Sequence, residues 1–176
     1  TQQATAKMTQ MSEESARLSE IGSKASESIT NLLELSRKME GAITAGALRG
    51  FIELAKTDHM VFKFQVYQVL MRHSQKTAAD FVDHHNCRLG KWYFEGEGRD
   101  CFSKLPGYAE IDVPHKEVHA HGQAAVAAFY KGDIPQTIQE VKMMENSSLQ
   151  VMSHLETMAS SAQQGSHLLC TSESSS

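Results

Sequence analysis

A chain of 176 residues has room for one globular domain and an appendage, not for two full-sized domains. Apolar residues make up 40% and charged residues 22%, enough to build a core and too little net charge for wholesale disorder. Seventeen basic against 21 acidic residues leave a net charge of -4, so no basic balance argues for nucleic acid or an anionic membrane. The longest apolar run, 124–130, is far too short to span a bilayer. Three cysteines, Cys87, Cys101 and Cys170, are odd in number and widely spaced, which predicts a reduced cytoplasmic protein rather than a disulfide scaffold. The first residue is Thr1 rather than Met, so a piece of a longer protein is expected.

Residues 1–47 contain no Pro and no aromatic residue. Met11, Leu18, Ala25, Leu32 and Met39 recur every seven residues, and Met8, Ile29 and Ile43 form a second track offset from the first. This is a coiled-coil seam over about five heptads, and a helix so polar needs a partner helix to bury it. A second copy of the chain can supply that partner.

At Gly50 the composition changes, and Ile52, Ala55, His59, Phe62, Val66 and Val69 follow a three-four spacing. The spacing predicts a core helix to about Ser74. A second helix is predicted to carry Ala78, Val82, His85, Leu89 and Trp92, ended by the Gly96 to Gly98 cluster. Residues 96–112 read as a loop. Asp112-Val113-Pro114 and Asp133-Ile134-Pro135 each combine an acidic cap with Pro in the first turn, so each opens a helix. The first places His115, His119, Gly122, Val126 and Phe129 on one stripe, and the second places Val141, Met144, Ser148, Val151, Leu155 and Met158 on another. The predicted fold is all-α: an antiparallel four-helix bundle over 48–160, behind a long N-terminal coiled-coil helix over 1–47. A Ser-rich tail, 161–176, is expected to be disordered.

His115 and His119 stand one helical turn apart, where two imidazoles can share one metal ion. His59 lies on an apolar stripe of another helix and Cys87 on a third, so a bundle can bring three His and one Cys together as a tetrahedral Zn²⁺ set. Four protein ligands leave no open position for a substrate water, which favours a structural or sensing site over catalysis. His84 stands near Cys87 in sequence, and spacing does not exclude it as a ligand. His121 should point away from His119. Cys101 and Cys170 read as non-ligands.

The string His85-Asn86-Cys87-Arg88-Leu89-Gly90-Lys91-Trp92-Tyr93 resembles the signature segment of the chemoreceptor zinc-binding domain, a bacterial cytoplasmic sensor family. Phe51-Ile52-Glu53-Leu54 with His59, and Pro114-His115 with Val118-His119 and Gly122, resemble its flanking motifs. The resemblance implies an α-helical bundle, a homodimer, and zinc held by three His and one Cys. Residue by residue, it places these on His59, Cys87, His115 and His119. Residues 1–47 resemble a coiled-coil leg of a methyl-accepting chemoreceptor, with no counterpart of the tip that docks the kinase. Glu13 and Glu14 read as a solvated acidic pair rather than a methylation pair.

The implied function is a non-enzymatic regulatory module. It would pass zinc occupancy, or oxidation of a zinc-bound Cys87 by a reagent such as hypochlorous acid, to adjoining receptor or output helices and so indirectly to a chemotaxis kinase. A hemerythrin-like iron bundle is the alternative from another class. Its carboxylates are missing where they are needed: Lys63, Arg88 and Gln123 stand four residues after His59, His84 and His119. A metal-free structural dimerisation bundle is the third reading.

Overall fold

The structure is a computed structural model that describes residues 2–164, without the side chains of Gln2, Ala4 and Thr5. Among the described residues there are helices and turns and no strand. Helix α1 spans Gln2–Leu70. The chain divides into two compact units, 1–40 and 41–176.

In the first unit no Pro interrupts the helix, and i,i+4 ion pairs such as Glu20–Lys24 (2.7 Å) and Glu34–Lys38 (2.6 Å) line its surface. Its large apolar side chains are all well exposed, from Leu35 at 54% to Leu18 at 72%. They include the seam residues Met8, Met11, Leu18, Ile29, Leu32 and Met39.

In the second unit, α1 buries Ala45, Leu48, Ile52, Ala55, His59, Phe62, Val66 and Val69, an unbroken three-four stripe. The helix stops at Leu70, short of Ser74. His73 N–H donates to the Gln68 carbonyl and Arg72 N–H to the Val69 carbonyl, the Schellman pattern, with Arg72 at φ 61. The left-handed cap position, usually Gly, is filled here by Arg.

The helix expected from Ala78 to Trp92 is mostly absent. A 3-10 turn, Ala78–Asp80, is closed by Asp80 accepting from both Thr77 N–H and its hydroxyl. Asp83 then accepts from the backbone N–H groups of His85 and Asn86. These short acidic side chains compete for the backbone and prevent a helix over 78–87. Helix α2 occupies only Arg88–Glu95, with Cys87 as its N-cap. The 96–112 segment contains one π turn, Gly98–Phe102, and one 3-10 turn, Ala109–Ile111.

Helices α3 (Asp112–Tyr130) and α4 (Ile134–Gln164) begin at the two Asp-x-Pro signals. Between them Gly132 takes φ 75 in a second Schellman cap, and Asp133 Oδ1 accepts from Gln136 N–H. Arg49 and Lys56 reach Glu156, while Lys63 and Tyr67 reach Glu145, so α1 and α4 run antiparallel. Ser147 donates to Glu117, and His121 pairs with Glu140, so α3 and α4 also run antiparallel. The bundle therefore has three long helices and the short α2. Residues 161–164 belong to α4; the rest of the Ser-rich tail, with Cys170, lies outside the described residues.

Candidate metal centre

The stripe of α1 that faces α3 carries His59 where its neighbours are Ala55, Phe62 and Val66. On α3, His115 and His119 occupy the inward face together with Val118 and Gly122. All three imidazoles are buried, at 3%, 1% and 3% exposure, and their ligand atoms lie within 4.8 Å of one another. No carboxylate belongs to this group, which is the donor composition of a zinc site rather than a bridged di-iron site.

Two of the rings are oriented by backbone carbonyls. His59 Nδ1 lies 2.8 Å from the Ala55 carbonyl, one turn earlier on its own helix, and His119 Nδ1 lies 2.8 Å from the Val82 carbonyl. A carbonyl accepts only from N–H, so each Nδ1 carries the proton and each Nε2 presents a lone pair. Both Nε2 atoms are buried without a hydrogen-bond partner, as is Nδ1 of His115. An unpartnered buried nitrogen is costly in an apolar core, and the three rings are close enough for one nitrogen of each to share a cation.

Burial holds the imidazoles neutral. His115 is pushed down to about 2, by burial first and then by repulsion from the other histidines. His119 is pushed to about 4 by burial, against its bond to Val82, and His59 is also lowered by burial. Neutral imidazole is the form that ligates a metal.

Cys87 is outside the group of three but touches it. Its Sγ lies 3.2 Å from His115 Nε2 and accepts from Gly90 N–H at 3.3 Å. In a tetrahedral zinc site sulfur and nitrogen ligands stand about 3.6 Å apart, a spacing close to this pair's, which requires His115 to ligate through Nε2 rather than through its unpartnered Nδ1. Burial raises the Cys87 thiol above its ordinary value, opposed by the N–H groups of Gly90 and Leu89 at the start of α2. The cysteine thus acts from a helix cap rather than from within a helix, as sequence spacing had it.

Two motif glycines explain themselves by close approach. A Cβ on Gly90 would stand 1.9 Å from the His84 carbonyl oxygen, so only Gly lets the 84–87 turn fold against α2 and present Cys87. A Cβ on Gly122 would stand 2.6 Å from the Phe62 ring, which itself packs on His119 with ring centroids 4.5 Å apart.

The competing residues go elsewhere. His84 packs at a tilt on His85 (4.1 Å between centroids) and its ring lies 6.0 Å from that of His115. His121 faces Glu140 at 2.6 Å. Cys101 is disulfide-bonded and Cys87 is free, so the expectation of reduced thiols throughout does not hold for Cys101. The carbonyl of Val82 is an orienting group that sequence reasoning missed, because residues 82 and 119 meet only through the fold.

No curated protein and no solved structure matches the chain. Residues 59–126 match the model of the chemoreceptor zinc-binding domain family. That stretch opens on His59 and contains Cys87, His115 and His119, so over these residues the chain is similar to the chemoreceptor zinc-binding domain.

Proposed function

We propose that His59, Cys87, His115 and His119 together bind one Zn²⁺, and that the domain is a regulatory sensor rather than a catalyst. The observation that carries this reading is the set of buried ring nitrogens without partners, beside a free cysteine sulfur. Bound zinc would hold Cys87 as thiolate and tie α1, the α2 cap and α3 to one point. The input is zinc occupancy or two-electron oxidation of the Cys87 sulfur by hypochlorous acid, with a sulfur–oxygen bond formed and chloride released.

A change at Cys87 acts on the N-cap of a short helix. Five residues on, α2 buries Trp92, stacked on Phe51 of α1 at 4.6 Å. Movement of α2 therefore bears directly on α1, the helix expected to adjoin the signalling output. The exposed seam of residues 8–43 supports pairing with a second copy of the chain in a cytoplasmic homodimer, with chemotaxis-kinase control lying beyond it.

The test is the metal content of untagged protein. One zinc per chain is expected, lost in the Ala variants of His59, Cys87, His115 and His119 and kept in His84→Ala. Loss of zinc in His84→Ala with retention in His59→Ala would overturn the ligand set. For the input, mass spectrometry after sub-stoichiometric hypochlorous acid should find Cys87 modified and zinc released. Zinc retained with Cys87 intact would leave zinc level as the signal.

A further inference from the structure

A cleft of 350 Å³ opens on one side of the centre, lined by His59, Cys87 and His119 but not by His115. Phe62, Phe81 and Leu89 make its buried apolar walls, and the exposed Val61 and Val82 flank it from α1 and from the 71–87 segment. Two polar straps cross from α1 to the facing chain. Asp58 Oδ2 and Arg88 Nε pair at 2.8 Å, joining the residue before His59 to the residue after Cys87. Lys76 Nζ donates to Gln65 Oε1 at 3.0 Å and lies 5.7 Å from the centre of the Phe81 ring.

We propose that this cleft is the entry route to the centre, through which small uncharged reagents reach the Cys87 sulfur and chelators or incoming zinc reach His59 and His119. Its inner walls are apolar, and Asp58 and Arg88 neutralise each other at its rim, so it favours a small molecule over a bulky one. His115 lies behind, with His84 on its other side, so attack comes from the face shared by Cys87, His59 and His119. The chelator and zinc part rests on the proposed zinc site; the thiol part does not.

The experiment uses the full chain stripped of metal and measures the rate at which N-ethylmaleimide labels Cys87, mapped by mass spectrometry. Val61→Trp and Val82→Trp, both at exposed positions, fill the flanks of the cleft. Each should slow labelling, by about ten-fold or more in the pair, a rise of about 1.4 kcal/mol in the barrier. Lys76→Ala removes one strap and should speed labelling. Val113→Trp, at an exposed position on α3 outside the cleft, should leave the rate unchanged. On zinc-loaded protein, Val61→Trp should slow extraction by a chelator without changing the zinc bound at equilibrium. Unchanged labelling in both Trp variants and in Lys76→Ala would overturn the route. Absence of zinc from the wild-type protein, with labelling still slowed, would overturn the zinc site and leave the route to Cys87 standing.

Discussion

Replacing Gly122 by Ala should destabilise the domain, although Ala favours a helix interior over Gly by about 1 kcal/mol. The new Cβ would lie 2.6 and 2.8 Å from two carbons of the Phe62 ring and 3.3 Å from Met144 Sδ. Carbon atoms rest at about 3.5–4.0 Å, so the ring must retreat by about 1 Å. Its retreat is obstructed by His119, 4.5 Å away between centroids, and by Phe81 at 5.6 Å. Overpacking of this kind costs about 1–3 kcal/mol, leaving a net loss of up to about 2 kcal/mol after the helix gain. Gly50 is the control: it is also inside a helix, but nothing lies within 4 Å of its added Cβ, so Gly50→Ala should stabilise by up to about 1 kcal/mol. Urea unfolding of chelator-treated protein, followed by far-UV circular dichroism, measures both. Because the displaced ring leans on His119, zinc affinity should fall in the Gly122 variant alone. Equal stabilisation by the two substitutions would refute the packing argument.

Metal-free protein should lose stability as pH falls below about 6.5, the ordinary histidine value, because the unfolded chain binds protons that the buried rings refuse. The loss continues to about pH 4 for His119 and to about pH 2 for His115, and by about pH 5 each contributes about 2 kcal/mol. A flat urea midpoint between pH 7 and 5, or a rising one, would contradict the neutral burial of these rings. Gly90→Ala places a methyl against backbone on the 84–85 turn, where no side chain can give way, and should destabilise by about 3 kcal/mol or more. A Gly90→Ala protein that folds with normal stability and binds zinc fully would show that the turn is free to move.

What was legible in the sequence is what depends on neighbours along the chain. The three-four stripe from Ile52 to Val69 is a local period, and α1 buries those residues. Asp133 and Pro135 mark the start of α4 through an Asx cap, a signal that acts within a few residues. The i,i+4 spacing of His115 and His119 is likewise sufficient to set both on one face. The end of α1 escaped because Arg72, not Gly, holds the left-handed cap, so composition carries no stop signal there. The 78–87 segment has helical spacing of apolar residues, yet Asp80 and Asp83 capture its N–H groups in turns, and Phe81 is buried against Phe62 instead. Only the tertiary structure turns Cys87 into a helix cap with its sulfur on His115, and only it brings the Val82 carbonyl to His119. Ligand chemistry can be read from residue types, but the lone pair each imidazole presents is set by a hydrogen bond on its far side, and for His119 that bond crosses 37 residues of chain.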